Sequence, residues 1–355
     1  MRELQVRRDN YRETRTVASD DRPLEEGQVR MEIERFALTS NNVTYAVAGD
    51  RIGYWQFFPV DAEWGVVPVW GIGRIVESRA KGLEVGEKIY GYFPMADEVV
   101  MTAGRIKSGS FTEVSEHRSQ LPPLYNNYRR LVVEPEGFED ERCLYFPLFI
   151  TSYAIYDWLA DNDMFGAEQV VIGSVSSKTG LGVAKLIANE PNLDVHVVGL
   201  TSPGNVAFVE SLGACDTILT YGRETEIAVR PTAYVDMSGN VELGRMLHHH
   251  LGDHLVLSSR VGATHWDGAE MGDHGKLPGA KPQMFFAPSQ ILKREADWGP
   301  GMFMAKASEA SLRLARDLEG TIAVERVKGT EALAEVWRDF LDNKVAPSRG
   351  IMVSL

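Results

Sequence analysis

Two rhythms of apolar and polar residues divide this 355-residue chain. Up to about residue 130, short apolar or alternating runs such as 29–37 and 88–93 are broken by Gly and Pro, the pattern of short strands joined by tight turns. From about residue 150, apolar bursts alternate with stretches of helical period. Strands are predicted over 169–172, 195–200, 217–219, 233–236 and 254–258, and helices over 180–188, 205–212 and 241–251. Five strands with short helical crossovers predict a parallel, doubly wound sheet, so the expected class is α/β. Residues 261–300 follow neither rhythm and read as a long loop, a binding element or lid. A helix over 301–318, a strand over 322–327, a helix over 331–341 and a strand over 350–355 close the chain.

The stretch Val170-Val-Ile-Gly173-Ser-Val-Ser-Ser-Lys-Thr-Gly180-Leu-Gly182 is a β-branched burst, a small-residue turn and the start of an apolar-periodic helix. That order writes a strand, a phosphate-binding turn and a helix N-terminus. Gly173 and Gly180 suit the tight turn and close backbone approach, while Ser176, Ser177 and Thr179 offer hydroxyls to phosphate oxygens. Lys178 is the one basic residue in the turn and could meet a phosphate. It sits one residue too close to Gly173, without a preceding Gly, for a nucleoside-triphosphate P-loop. The second strand ends in Thr201-Ser202-Pro203-Gly204-Asn205, with no carboxylate to hold a ribose 2′-hydroxyl. Thr201, Ser202 and Asn205 suit a 2′-phosphate instead, which predicts NADP, with NADPH preferred over NADH. A glycine turn that only packs a helix on a sheet is the other reading.

Composition narrows the partners. Thirty-seven basic against 50 acidic residues give −13, which argues against nucleic acid or an anionic membrane surface. No apolar run has spanning length, and the first residues lack a signal-peptide core, so a cytoplasmic protein is expected. Cys143 and Cys215 are the only cysteines, too few for a disulfide framework or a Cys-rich zinc site.

Four motifs carry a family resemblance. They are Pro68-Val-Trp-Gly71-Ile-Gly73-Arg-Ile-Val-Glu-Ser78, Leu83-Glu-Val-Gly86-Glu-Lys-Ile-Tyr-Gly91, Ser211-Leu-Gly213-Ala-Cys-Asp216 and Ala233-Tyr-Val-Asp236-Met-Ser-Gly239. In this order and spacing they resemble the medium-chain dehydrogenase/reductase superfamily over nearly the whole chain. Blocks such as Tyr54-Trp-Gln-Phe-Phe-Pro59, Gly199-Leu-Thr-Ser202 and Thr264-His-Trp-Asp267 also resemble a small bacterial branch known only as a domain of unknown function. The resemblance implies a GroES-like β-rich domain over 1–145 and 320–355, and a Rossmann domain over 146–319. It also implies a small-molecule substrate and a homodimer, and it puts Ser238 at the nicotinamide end of the cofactor.

Zinc alcohol dehydrogenases of that superfamily carry a Cys where this chain has Thr39 or Ser40, and Gly-His-Glu where it has Pro68-Val69-Trp70. His248-His249-His250 cannot replace them, because consecutive helical residues point about 100° apart. A solvated helix face is expected there, and no metal. Zinc-less reductases of the superfamily pass hydride to an activated alkene or quinone, with a nearby donor for the developing oxyanion. By position, the resemblance makes Asn42, Tyr45 and Tyr54 candidates, although Tyr54-Trp-Gln-Phe-Phe-Pro59-Val60 reads equally well as packing. His265, oriented by Asp267, is a further candidate beyond the fifth strand. The segment 284–288, near Lys293-Arg294, could floor an apolar pocket or form a subunit contact. The expected function is a zinc-independent NADP(H)-dependent reductase acting on an enone, quinone or related carbonyl-conjugated molecule. The alternative is a non-catalytic NADP(H)-binding redox sensor.

Overall fold

The computed structural model describes residues 1–20, 22–131, 138–261 and 277–355. They form two compact units. One holds Met1–Leu144, Ala323–Val345 and Arg349–Leu355; the other holds Tyr145–Ile322 and Ala346–Ser348.

The first unit begins with strands β1 (Arg2–Arg7), β2 (Thr14–Ala18) and β3 (Gln28–Leu38). Helices α1 (Ser40–Val47) and α2 (Gly49–Ile52) follow. Next come β4 (Trp64–Gly65), β5 (Pro68–Ser78), β6 (Lys88–Pro94), β7 (Glu98–Gly104), β8 (Ser110–Glu113) and β9 (Asn127–Arg130). Pairing β3–β5–β6–β9–β8–β7 is antiparallel, and β7 returns to β3, so the sheet closes on itself and leaves no free edge among those six. The inward face of β3 is Val29, Met31 and Ile33, and then changes phase to Phe36 and Leu38. A register irregularity between Ile33 and Arg35 inserts the extra residue that causes this.

Inside this unit lies an ion pair between Glu113 and Arg118, 3.4 Å apart, with side chains 2% and 3% exposed. Backbone N–H groups of Thr102 and Ser115 donate to the carboxylate. The guanidinium donates to the Phe57 carbonyl at 3.2 Å and to the Tyr128 hydroxyl at 3.0 Å.

Helix α3 (Glu139–Asp161) runs from the first unit into the second. It is followed by β10 (Gln169–Gly173), α4 (Lys178–Ala188), β11 (His196–Thr201), α5 (Val206–Leu212) and β12 (Thr217–Thr220). Then come β13 (Thr232–Asp236), α6 (Val241–Leu251), β14 (Leu255–Arg260), β15 (Gln283–Met284), α7 (Ala287–Trp298) and α8 (Met302–Asp317). All six strands are parallel, in the order β12-β11-β10-β13-β14-β15. The order reverses between β10 and β13, the topological switch point of a Rossmann sheet. The chain then returns to the first unit as β16 (Ala323–Lys328), α9 (Thr330–Leu341) and β17 (Arg349–Ser354), with β17 antiparallel to β3.

Three sequence expectations are corrected here. The sheet has six strands rather than five, β15 being too short to show periodicity. The stretch 261–300 is not all loop, since it contains α7. That helix is tied to α3 by polar bonds from Gln290 and Arg294 to Asp157, at 2.5 and 2.7 Å, rather than by an apolar stripe. The His248–His250 run is not a solvated face. His248 is buried, with Nδ1 2.8 Å from the Pro278 carbonyl and Nε2 2.9 Å from Ser258 Oγ, and His250 Nε2 lies 2.8 Å from the Ile227 carbonyl. Only His249 is exposed. His265 and its neighbours Thr264, Trp266 and Asp267 lie outside the described residues.

Arg118, which is buried, and Lys178, which is partly exposed, each give a stability test. Replacing Arg118 with Met leaves the Glu113 carboxylate uncompensated and is expected to lower unfolding free energy by about 3–5 kcal/mol in urea titrations. A loss below about 1 kcal/mol would show the pair to be dispensable. The second concerns Lys178, whose Nζ lies 3.4 Å from the Pro347 carbonyl and whose pKa desolvation lowers from 10.5 to about 8. Between those values the unfolded chain holds a proton that the folded chain has released, so stability rises with pH across the window. The stability difference between wild type and Lys178→Met should shift by about 1–2 kcal/mol between pH 7.5 and 9.5, in favour of wild type. A difference that does not change with pH would contradict it.

Candidate functional site

In the second unit, the carboxyl end of β10 leads straight into the turn Gly173–Ser177. Ser174 takes a left-handed φ of 55°, and the Ser177 side chain caps α4 by accepting from the Gly180 N–H at 3.1 Å. The helix can begin this close to the strand because Gly180 has no side chain: a Cβ there would lie 2.7 Å from the Ser174 carbonyl. A Cβ at Gly182 would collide with Ser152 of α3. At Gly173 the same atom would sit 3.1 Å from both the Asp236 carboxylate and the Tyr234 hydroxyl. The first-turn N–H groups of a helix have no partner within it, so the 11-residue α4 presents donors and a positive dipole end beside the Ser176 and Thr179 hydroxyls.

The end of the second strand joins this turn. Asn205 Nδ2 donates to Ser176 Oγ at 3.3 Å, and the Tyr221 N–H donates to the Thr201 carbonyl at 3.1 Å. Ser202 is exposed and Asn205 partly exposed, whereas the Thr201 hydroxyl is buried without a hydrogen-bond partner among the described residues. Across the switch point, Asp236 Oδ1 accepts from Ser238 N at 2.8 Å, Ser238 Oγ at 2.6 Å and Gly239 N at 3.2 Å. These bonds hold the loop after β13 in a fixed shape. A turn of mostly small residues, a helix N-terminus and a neutral polar strand tip fit the pyrophosphate and adenosine ribose of a dinucleotide. Lys178 Nζ donates to the Pro347 carbonyl at 3.4 Å.

The first unit carries an aromatic cluster. Trp70 on β5 pairs across the sheet with Tyr92 on β6, and Tyr90 lies two residues away on the same face. Trp70 stacks on Tyr90 with centroids 5.5 Å apart. Tyr45 from α1 packs on Tyr54 at 4.5 Å, and Tyr92 on Tyr125 at 4.6 Å. Their polar atoms meet as well: Tyr54 and Tyr125 hydroxyls are 3.1 Å apart, and Trp70 Nε1 donates to the Tyr45 hydroxyl at 3.3 Å. Burial, and then the neighbouring hydroxyls, push the Tyr45, Tyr92 and Tyr125 pKa values above the ordinary phenol range; burial does the same to Tyr54. All four therefore stay protonated across the neutral range.

Arg118 ties together the segments that bear these rings. It bonds the Phe57 carbonyl just after Tyr54, and its guanidinium covers the Phe58 ring at 4.6 Å. Through the Tyr128 hydroxyl, which donates to the Tyr92 carbonyl, it reaches β6. Its own carbonyl accepts from Asn126, the residue after Tyr125, at 3.2 Å.

Sequence reasoning named Tyr45 and Tyr54 and missed Tyr125, Trp70, Tyr90, Tyr92 and Arg118. The alternation Tyr90-Gly91-Tyr92 in a strand was the available signal. Asn42 is buried and both ends of its amide are bonded within the unit: Oδ1 accepts from Thr39 N at 2.7 Å, and Nδ2 donates to the Pro68 carbonyl at 2.9 Å. It caps α1 and ties that helix to β5. Trp55 and Phe57 are buried, so much of the 54–60 segment is core. In 284–288, Phe285 packs on Trp158 at 5.2 Å while Met284 and Phe286 are exposed. Among the described residues, no three His, Cys, Asp or Glu side chains are placed to hold a metal ion. No described helix is long and apolar enough to cross a membrane.

Comparison with solved structures identifies the same fold in redox proteins. CurA from Vibrio vulnificus, in complex with NADPH, superposes with a TM-score of 0.63 at 12% identity, over 100% of this chain and 99% of that one. The CurK enoyl reductase gives 0.59 at 15% identity, over 99% and 98%. The quinone oxidoreductase from Coxiella burnetii gives 0.57 at 14% identity, over 100% and 99%. At these identities the likeness establishes the fold alone, a GroES-like β-rich domain with a Rossmann sheet. No curated protein matches the chain. A family model matches residues 36–346, and the chain belongs to that family, described as "Protein of unknown function (DUF2855)".

Proposed function

We propose that this chain is a zinc-independent, NADP(H)-dependent oxidoreductase that reduces an enone, quinone or related carbonyl-conjugated small molecule, working as a homodimer in the cytoplasm. The observation that carries the reading is the second strand's tip. Ser202 and Asn205 stand beside a glycine turn and helix N-terminus, with no carboxylate to repel a 2′-phosphate. NADP-bound or NADPH-bound relatives of the same fold support it: CurA is one, and the YhdH oxidoreductase from Salmonella enterica, solved with NADP, is another.

When bound, NADPH supplies a hydride. Gly173, Gly180 and the α4 N-terminus, with Ser176, Ser177 and Thr179, would hold its pyrophosphate. Ser202 and Asn205 would meet the adenosine end, with the buried Thr201 beneath them, and Ser238 the nicotinamide end. Lys178 adds positive potential close to the turn while it braces Pro347. In the first unit, Tyr45 and Tyr54 keep neutral hydroxyls in an apolar, water-poor cluster, the condition under which a phenol is a strong donor to a developing oxyanion. Thr39 and Trp70 stand where related enzymes keep zinc ligands, so oxyanion stabilisation falls to hydroxyl donors.

The test is direct. NADPH is expected to bind at least about tenfold more tightly than NADH in fluorescence titrations, the worth of one charge-assisted contact to a phosphate. NADPH consumption is expected with at least one member of a panel of quinones and enals. Tighter NADH binding would refute the cofactor preference. Tight NADPH binding without turnover on the whole panel would favour the redox-sensor reading.

A further inference from the structure

We infer that Arg223 is the cation that meets the 2′-phosphate of the dinucleotide, and that it sets the cofactor preference of the second unit. The inference rests on the reading that this unit binds NADP(H). The strand tip Thr201–Asn205 offers only neutral hydroxyls and an amide. A phosphate dianion is held more firmly where one of its hydrogen bonds comes from a charged donor. In the stretches that carry the ends of β11 and β12, residues 197–206 and 216–226, Arg223 is the single basic residue.

Backbone bonds fix where it stands. Strand β12 runs parallel to β11, with Thr220 opposite Thr201. The two chains therefore leave the sheet at the same carboxyl edge, about 5 Å apart. Just beyond, the Tyr221 N–H donates to the Thr201 carbonyl and the Arg223 N–H to the Thr220 carbonyl, both at 3.1 Å. The second of these bonds closes a tight turn, which keeps the Arg223 backbone within about 7 Å of Thr220. Gly222 makes the turn with a φ of 93°, and its N–H donates to the buried Glu224 carboxylate at 2.8 Å. Arg223 thus follows a braced turn beside the strand tip, and its side chain is 54% exposed.

The guanidinium forms a bidentate pair with Glu226, both N–O distances being 2.6 Å. Glu226 is 49% exposed, so both charges stay hydrated and the pair contributes little by itself. A 2′-phosphate carries more charge than one carboxylate and presents the same paired oxygens to the guanidinium fork, so it competes with Glu226 for Arg223. NADH has a ribose hydroxyl at that place and leaves the pair intact. The exchange of one partner for the other is what separates the two cofactors.

Arg223→Met and Glu226→Gln are both surface changes, each titrated with NADPH and with NADH by fluorescence. NADH binding is the control that the fold and the pyrophosphate site are intact. Arg223→Met is expected to weaken NADPH binding about tenfold and NADH binding less than about twofold. Glu226→Gln, which frees the guanidinium, is expected to tighten NADPH binding about twofold and to leave NADH unchanged. Equal losses for the two cofactors in Arg223→Met, or weaker NADPH binding in Glu226→Gln, would overturn the assignment. A wild type that prefers NADPH and keeps that preference in Arg223→Met overturns it too, while the NADP(H) reading stands. A wild type that prefers NADH, or binds neither, sinks both.

Discussion

The second unit depends on how closely helix α4 can begin against strand β10. Only three residues lie between the end of the strand at Gly173 and the cap at Ser177. To turn that sharply, the chain places Ser174 in the left-handed region and brings the Gly180 backbone against the Ser174 carbonyl. Any side chain at Gly180 would push the helix away, and any at Gly182 would push it off α3. The same closeness points the helix N-terminus at the switch point, where the neighbouring strands β10 and β13 send their chains in opposite directions. Packing and ligand capacity thus come from one geometric requirement.

A different kind of constraint organises the first unit. A charged guanidinium has been taken almost wholly out of water, and it is tolerated because Glu113, the Phe57 carbonyl, the Tyr128 hydroxyl and flat aromatic faces surround it. In return, three chain segments distant in sequence are locked in register around it. Rings held this way need little reorganisation when charge develops nearby, which is what makes fixed donors better than mobile ones at stabilising an oxyanion. The cluster's hydroxyls are also costly to ionise in this setting, so they remain donors.

Not every polar residue near these features faces a ligand. Asn42 follows the first-lobe strand where a substrate-facing side chain was expected, yet its amide caps α1 and bonds the Pro68 carbonyl. His248 sits in a triple-His run that looks solvated, yet its ring bridges the Pro278 carbonyl and Ser258 in the interior. In both cases a neighbour remote in sequence took the side chain's hydrogen-bonding capacity, and no local pattern announces such a neighbour.

The sequence by itself determined the alternation of strands and helices, because apolar period and glycine punctuation are local properties that reflect which face is buried. It also determined the phosphate-turn signature at 173–182 and the neutral tip at Thr201–Asn205, since both lie within one strand–turn–helix. The short strand β15 and the polar-tethered helix α7 escaped it, because β15 spans only two residues and the buried side chain of α7 is the polar Gln290. Only the tertiary structure decided which tyrosines share a cluster. Tyr45, Tyr54, Tyr92 and Tyr125 come from a helix, two 3₁₀ turns and a strand, and it is barrel closure with the buried Arg118 that brings them together. That closure is a long-range pairing of backbone and charge, which the spacing of residues along the chain does not encode.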